Sequence, residues 1–208
     1  MLVYLIRHAE SLVVPGMSDF EKYNVGISDL GKLQAKATAK KIRGFNIKRL
    51  VSSPILRAKE TAEFIKFYTN LPIETDDRLR EFFPDPNQKD TGEQKRIKYY
   101  SYSNPQNVTV GGESFDGAIK RLEEILDELG SKNSGNLCLV THRVIVEGFL
   151  YKNFGIKSSE HEWLRPASIS CIDLSGDMKR LVFYDLRPLD TELVIEIVKR
   201  RFRYILTK

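Results

Sequence analysis

Leu2-Val3-Tyr4-Leu5-Ile6 runs straight into Arg7-His8-Ala9-Glu10-Ser11, and the fold follows from how that stretch is read. The five apolar residues include β-branched and aromatic members and show no period-2 alternation. They are too few for a helix, which predicts a strand buried on both faces. Such a strand carries Arg7 and His8 out at its carboxyl end. In open α/β sheets that edge is where ligands bind, because loops converge there on a crevice lined by helix N-termini. On their own the ten residues also suit a surface cation followed by a loop histidine; the rest of the chain decides between the two.

At 208 residues the chain can bury one full core, so a single domain over residues 1–208 is expected. Apolar and charged contents of 41% and 29% place it among globular chains rather than disordered ones. No run approaches the roughly 20 apolar residues that a bilayer requires. The N-terminal apolar run is short and has neither a basic leader nor a small-residue cleavage site, so it does not read as a signal peptide. A cytoplasmic chain with no membrane partner is the expectation. Cys138 and Cys171 lie in apolar, strand-like runs and read as buried free thiols; a disulfide would require neighbouring strands. The net charge of +5 and pI near 9.1 suit an anionic ligand and equally a solvated basic surface. Lys, Arg, Glu and Ile are abundant while Gln and His are few, a balance met in thermophiles.

Residues 12–27 hold Pro15, Gly16, Asn24 and Gly26 and read as a loop beside the pocket. Leu30, Leu33, Ala37 and Ile42 then recur at helical spacing, giving a helix from Ser28 to Arg43 with Ser28 as N-cap. Ile47 to Ser52 is a strand. Ser52-Ser53-Pro54 starts another helix with Pro in its first turn and Arg57 one turn in, where a guanidinium and free helix amides face the same anion. Pro72-Ile73 leads to a strand ending at Asp76. Residues 84–112 are polar, rich in Pro, Gly and Asn, with Tyr99, Tyr100 and Tyr102, and read as a lid-like insertion over the site. A helix with Ala118, Leu122, Ile125, Leu126 and Leu129 on one face runs to Gly130. Leu137 to Val140 is a second buried strand that ends in a histidine, as Thr141-His142-Arg143, and Val144 to Phe154 is helical. Ile169–Leu174 and Leu181–Tyr184 pair about a Ser175-Gly176-Asp177 turn. The tail, residues 190–208, is an amphipathic helix with a basic end. Its Leu193, Val194, Ile197, Val198, Phe202 and Ile205 are expected to pack on the domain or on a second subunit as a homodimer.

Two strands that each end in His, with one Arg beside the first and another on a helix N-terminus, have a chemical use. Guanidinium groups match the spread charge of a phosphoryl group. A neutral imidazole can attack phosphorus and split hydrolysis into two easier steps, and neighbouring cations keep it unprotonated. The leaving group needs a proton donor, for which Glu81 stands ready, with Phe82 and Phe83 as an apolar cover and Arg80 beside it.

Here the chain resembles the histidine phosphatase superfamily, also called the phosphoglycerate mutase-like family. The matching pieces are Leu5-Ile6-Arg7-His8-Ala9-Glu10-Ser11, Ile27-Ser28-Asp29-Leu30-Gly31-Lys32-Leu33-Gln34-Ala35, Ser52-Ser53-Pro54-Ile55-Leu56-Arg57-Ala58-Lys59-Glu60-Thr61-Ala62, Leu79-Arg80-Glu81, Gly112-Glu113-Ser114 and Leu139-Val140-Thr141-His142. They run in the family's order from residue 2 to about residue 175. The resemblance implies one three-layer α/β/α domain with a mostly parallel central sheet. It implies a phosphohistidine intermediate on a small phosphorylated substrate, with His8 as nucleophile, Arg7, Arg57 and His142 around the phosphate, and Glu81 as acid. Neither cofactor nor metal is implied: acidic residues do not cluster at ligand spacing, and two arginines already neutralise the phosphate.

The chain departs from the family's pattern at several positions. Ala9 stands where the family usually has Gly, Val14 where an Asn often contacts phosphate, and Arg143 where a Gly usually follows the second His. Arg143 either adds a cation to the pocket or faces solvent. Phe83-Pro84-Asp85 replaces a Trp-Glu-Gly stretch, which makes Asp85 the substitute for Glu81 as proton donor. Phosphoglycerate mutase is the alternative within the fold, but the family's Glu-Arg-His-Tyr-Gly stretch is missing and Gly92-Glu93-Gln94-Lys95-Arg96 only echoes it. Anion or nucleic-acid binding without catalysis is the alternative outside it, suggested by Lys199-Arg200-Arg201-Phe202-Arg203. Basic residues elsewhere alternate with acids and no nucleic-acid motif appears, so no nucleic acid is expected.

Overall fold

A computed structural model describes residues 1–82, 113–131, 135–156 and 164–206. The expected lid over 84–112, with Asp85, Phe83 and the tyrosine cluster, lies outside the described residues. In chain order the elements are β1 (Leu2–Arg7), α1 (Asp19–Asn24), α2 (Asp29–Ile42), β2 (Ile47–Ser52), α3 (Leu56–Thr69), β3 (Ile73–Thr75), α4 (Phe115–Ser131), β4 (Asn136–Thr141), α5 (Arg143–Phe154), β5 (Ile169–Asp173), β6 (Arg180–Leu186) and α6 (Thr191–Leu206).

The described strands form one mixed sheet in the order β3-β2-β4-β1-β5-β6. β3, β2, β4 and β1 are mutually parallel, and β5 and β6 continue antiparallel beside β1. The apolar run that opens the chain is therefore central, flanked by β4 and β5. Its alternate side chains go to opposite faces, as strand geometry requires. Val3 and Leu5 join Leu137, Leu139 and the apolar faces of α4 and α5 in one core. Tyr4 and Ile6 join Cys138, Val140, α2 and α3 in the other. All four β1 residues are buried, and each side chain so covered contributes roughly 1.5–3 kcal/mol relative to leaving it in water. Helices thus cover both faces of the sheet, which is the three-layer α/β/α domain expected from the resemblance.

Cys138 and Cys171 lie on either side of Tyr4, opposite it on β4 and β5. Both are buried free thiols, and β1 runs between them.

Two boundaries differ from the sequence reading. Residues 12–27 contain the short helix α1, held by a capping box in which Ser18 Oγ accepts from Glu21 N and the Glu21 carboxylate accepts from Ser18 N. A helix of fewer than two turns is too short to show a period, so only the Ser-to-Glu spacing betrays it. α3 begins at Leu56, two residues past Pro54, with Ile55 as an N-cap that makes no side-chain bond. Arg57 is consequently its second residue rather than one turn in. The tail is helical as expected, but among its described side chains only Leu193 is buried, against Leu30 and Ala37 of α2; Val194, Ile195, Ile197, Val198 and Phe202 are 42–62% exposed, and the side chain of Ile205 lies outside the described ones.

α2 starts as predicted, with Ser28 Oγ accepting from Gly31 N at 3.0 Å. A Cβ on Gly31 would run into the carbonyl of Glu10, so glycine is what lets this helix press on the turn that follows β1. Gly31→Ala should displace that turn and cost about 1–3 kcal/mol, read as a lower urea midpoint at unchanged m-value.

Candidate active site

Because β1, β4 and β2 are parallel neighbours, their carboxyl ends open on one side. His8 N donates to Thr141 O at 2.9 Å and Ser53 N to Val140 O at 2.9 Å. The residues that follow the three strands are thereby tied together, and these are His8, His142 and Ser53. The rings of His8 and His142 lie 5.1 Å apart, tilted by 57°.

His8 is 6% exposed. Its Nδ1 meets the Ala9 carbonyl at 2.7 Å, and since a carbonyl only accepts, Nδ1 carries the proton. Arg57 Nε donates to the other nitrogen, Nε2, at 3.1 Å. Both bonds select the tautomer whose Nε2 lone pair points at the guanidinium. Burial, then Arg57, Arg7 and Arg143, push the His8 pKa well below its ordinary value, against an opposing pull from the Ala9 carbonyl. The turn is fixed from behind: Ala9 N donates to Thr61 Oγ1 at 3.0 Å, and Thr61 donates to the carbonyl of Arg57 at 2.7 Å. Arg57 is itself 7% exposed and reaches the Lys22 carbonyl of α1 at 3.5 Å, so the helix that sequence reading missed helps position it.

Two buried side-chain nitrogens have no hydrogen-bond partner among the described residues, Arg7 Nε and His142 Nδ1. An orphaned buried donor is costly, by roughly 1–3 kcal/mol, and these two belong to residues predicted to hold phosphate. His142 Nε2 meets Ser53 Oγ at 2.8 Å. If the hydroxyl donates there, Nδ1 carries the ring's proton and suits an anion's oxygen. Burial, then His8 and three arginines, drive the His142 pKa well down. His142 also caps α5, whose first-turn amides add to the positive field.

Sequence reading did not single out Ser53 or Glu147. Glu147 is 3% exposed inside the apolar run Val144 to Leu150, where a lone carboxylate was the available signal. Its Oε1 accepts from Leu164 N at 2.9 Å, and the Leu164 carbonyl accepts from Arg7 Nη1. Its other oxygen lies 3.9 Å from Arg143 Nε. One buried anion thus braces two arginines. Arg143 leans on Glu147 with its side chain still 31% exposed, and its charge reaches both His8 and Arg7. Arg7 is lowered to about 10, by burial first and Arg143 next, with Glu147, Glu81 and Asp185 opposing, and so stays cationic at neutral pH.

Glu81 sits half-buried on the segment after Asp77–Leu79, close enough for its charge to act on Arg7. Thr141 Oγ1 donates to the Leu79 carbonyl at 2.7 Å, and Arg121, paired with Glu113, donates to the carbonyls of Arg78 and Arg80. Phe82 is buried against Phe115. Arg80 turns toward Asp77, 3.9 Å away. Among the described residues no three His, Cys, Asp or Glu side chains gather as metal ligands would, and no helix is long and apolar enough to cross a membrane.

A model of the histidine phosphatase superfamily (branch 1) matches residues 3–186. The uncharacterized phosphatase PhoE of Bacillus subtilis is 32% identical over 192 residues, which span 88% of this chain and 94% of that protein. A 2,3-bisphosphoglycerate-dependent phosphoglycerate mutase of Thermoplasma acidophilum is 38% identical over 81 residues, 38% of this chain and 40% of the mutase. Among solved structures, a mycobacterial glucosyl-3-phosphoglycerate phosphatase aligns at TM-score 0.72 and 20% identity, covering 89% of this chain and 98% of that one. A putative alpha-ribazole-5'-P phosphatase of Escherichia coli aligns at TM-score 0.71 and 20% identity over 92% of this chain and all of its own.

The two buried histidines set a pH dependence. Both have folded-state pKa values below the unfolded value of about 6.5. Between those values the unfolded chain binds more protons, so stability is full above about pH 6.5 and falls as pH drops toward the folded pKa values. For two protons the slope approaches about 2.7 kcal/mol per pH unit. Urea unfolding between about pH 6.5 and 5, above most carboxylate titrations, should show this slope, and His8→Asn with His142→Asn should flatten it.

Proposed function

Given that the chain belongs to the histidine phosphatase superfamily, we propose that it hydrolyses phosphate monoesters through a phosphohistidine on His8. The observation that carries this is the His8 tautomer: Nδ1–H held by the Ala9 carbonyl, Nε2 offered with its lone pair beside Arg57. Arg7, Arg57 and His142 Nδ1 receive the three equatorial oxygens, which are the ligands that the two orphaned nitrogens lack. His8 Nε2 attacks phosphorus in line; the N–P bond forms as the P–O bond to the leaving group breaks, and Glu81 gives its proton to the departing oxygen. Water then attacks the phosphohistidine, returns a proton to the Glu81 carboxylate, and frees His8 and inorganic phosphate. Three guanidiniums offset by Glu147 leave a net positive charge that matches a phosphomonoester dianion in magnitude and opposes it in sign, so the reading needs no metal. Arg143 contributes to that balance, in place of the glycine usual in the family. Phosphatase is preferred to mutase because the relative matched over nearly its whole length bears a phosphatase name, whereas the mutase match spans about 40% of that protein.

His8→Ala should abolish turnover while leaving the fold intact by circular dichroism, and rapid acid-free quench of the wild type should trap acid-labile phosphohistidine; appreciable turnover in the variant refutes the assignment. Arg57→Ala and His142→Ala should each lose roughly 100-fold or more. The lowered His8 pKa keeps the nucleophile unprotonated on the acid side of neutrality, where the rate optimum is expected.

Glu81→Gln should slow esters with poor leaving groups far more than p-nitrophenyl phosphate, whose phenolate departs with little protonation. Equal losses on both would move the acid to Asp85. With 3-phosphoglycerate, phosphate release without 2-phosphoglycerate is expected; efficient interconversion would reverse the choice.

A further inference from the structure

α6 leaves an apolar surface without a cover among the described residues. Leu193 turns inward, but Val194, Ile195, Val198 and Phe202 are 42–62% exposed, and the spacing 195, 198, 202 is the three-then-four step of a coiled-coil seam. A helix with such a stripe facing water is a docking surface rather than a solvated face.

Charge identifies the occupant. The helix is acidic in its first half, with Glu192 and Glu196, and basic in its second, with Lys199, Arg200 and Arg201. Glu192 and Lys199 lie seven residues apart, on the same flank of the stripe. Two such helices laid parallel would set basic ends side by side. Laid antiparallel about a two-fold axis near residue 196, they set Ile195 against Val198 and Glu192 against Lys199 of the second copy, twice over by symmetry. Glu192 also meets Lys36 of α2 at 2.6 Å, yet its side chain stays 59% exposed and can accept a second cation.

We propose that the chain forms a two-fold homodimer through antiparallel pairing of α6, with Ile195 and Val198 at its centre, Phe202 toward its two ends and Glu192–Lys199 pairs along its edges. The dimer bears on the site, because Arg200 Nη1 holds the carboxylate of Glu10 at 3.1 Å and Glu10 belongs to the turn that carries His8. Leu12, Val13 and Val14, just beyond Glu10, are also about half exposed. A contact made largely by one helix pair falls below the usual interface size, so an affinity on the order of 10 µM is expected.

Sedimentation velocity of the full chain from about 1 to 300 µM tests this. Expected is a reversible monomer–dimer equilibrium that Val198→Asp weakens on the order of 100-fold, since the change enters the interface twice. Lys199→Glu alone should weaken it by roughly 10-fold, and combining it with Glu192→Lys should restore it. Both positions are exposed, which keeps the test valid should Val198→Asp melt early, and Glu192→Lys alone, which loses the Lys36 bridge as well as the interface pair, is its control. A wild type that stays monomeric throughout, or a dimer indifferent to both Val198→Asp and Lys199→Glu, overturns the proposal. So does a monomer that co-sediments with phosphatidylserine vesicles in a Val198-dependent way, which would assign the face to a membrane surface.

Discussion

A neutral imidazole buried against guanidinium groups is the arrangement on which the rest of the structure depends. Protonating His8 would add a fourth positive charge to Arg7, Arg57 and Arg143 in a place that water scarcely reaches. The ring therefore keeps its lone pair, and the cations that enforce this are the ones suited to an incoming anion. Like charges held this close repel, and the fold answers with Glu147. Its carboxylate is buried beneath Arg143 and, through Leu164, beneath Arg7. Removing either partner from such a buried set leaves the other uncompensated, which is why these positions are coupled rather than additive.

The sheet order converts this local electrostatics into geometry. β4 lies between β1 and β2, so the ladder bonds that build the sheet also bring His8, His142 and Ser53 to one place. Rigid elements bear on each group: α3 carries Arg57 and, through Thr61, the nucleophile's turn; α2 presses on that turn at Gly31; and the loop before β5 closes the other side, where Ala167 N donates to the His8 carbonyl. Ala167 adopts a left-handed φ of 58° there, with Thr38 Oγ1 on its carbonyl at 2.7 Å. A non-glycine residue held in that region is a local cost that the surrounding bonds sustain.

Much of this was legible in the sequence because the informative residues carry local signatures. The unalternating run Leu2 to Ile6 announced a strand covered on both faces, Ser28 announced a helix start, and two histidines at strand ends announced the site. What escaped depended on contacts distant in the chain. Ser53 lies within a recognisable motif, but nothing local says that its hydroxyl reaches a ring 89 residues away. Glu147 looks like a solvated charge until Leu164 and Arg143 are brought to it. α1 hides among turn-forming residues because a helix this short shows no period, and its capping box is the single local mark of it. Arg143 could not be placed from its neighbours alone, since position one of a helix points equally well to solvent or to a pocket.

Tyr4 and the two cysteines beside it have a consequence for how the molecule is handled. With β1 interposed, the strands bearing Cys138 and Cys171 stand about two ladder spacings apart, on the order of 9.5 Å, beyond the reach of a disulfide. A bond between them therefore cannot form in the native molecule, and finding one after exposure to air would report a chain that had lost its central strand. Burial raises both thiol pKa values, that of Cys171 to about 11, which starves an alkylating reagent of thiolate. The rate at which such a reagent modifies them becomes a clock for opening of the sheet, with no probe added to the protein.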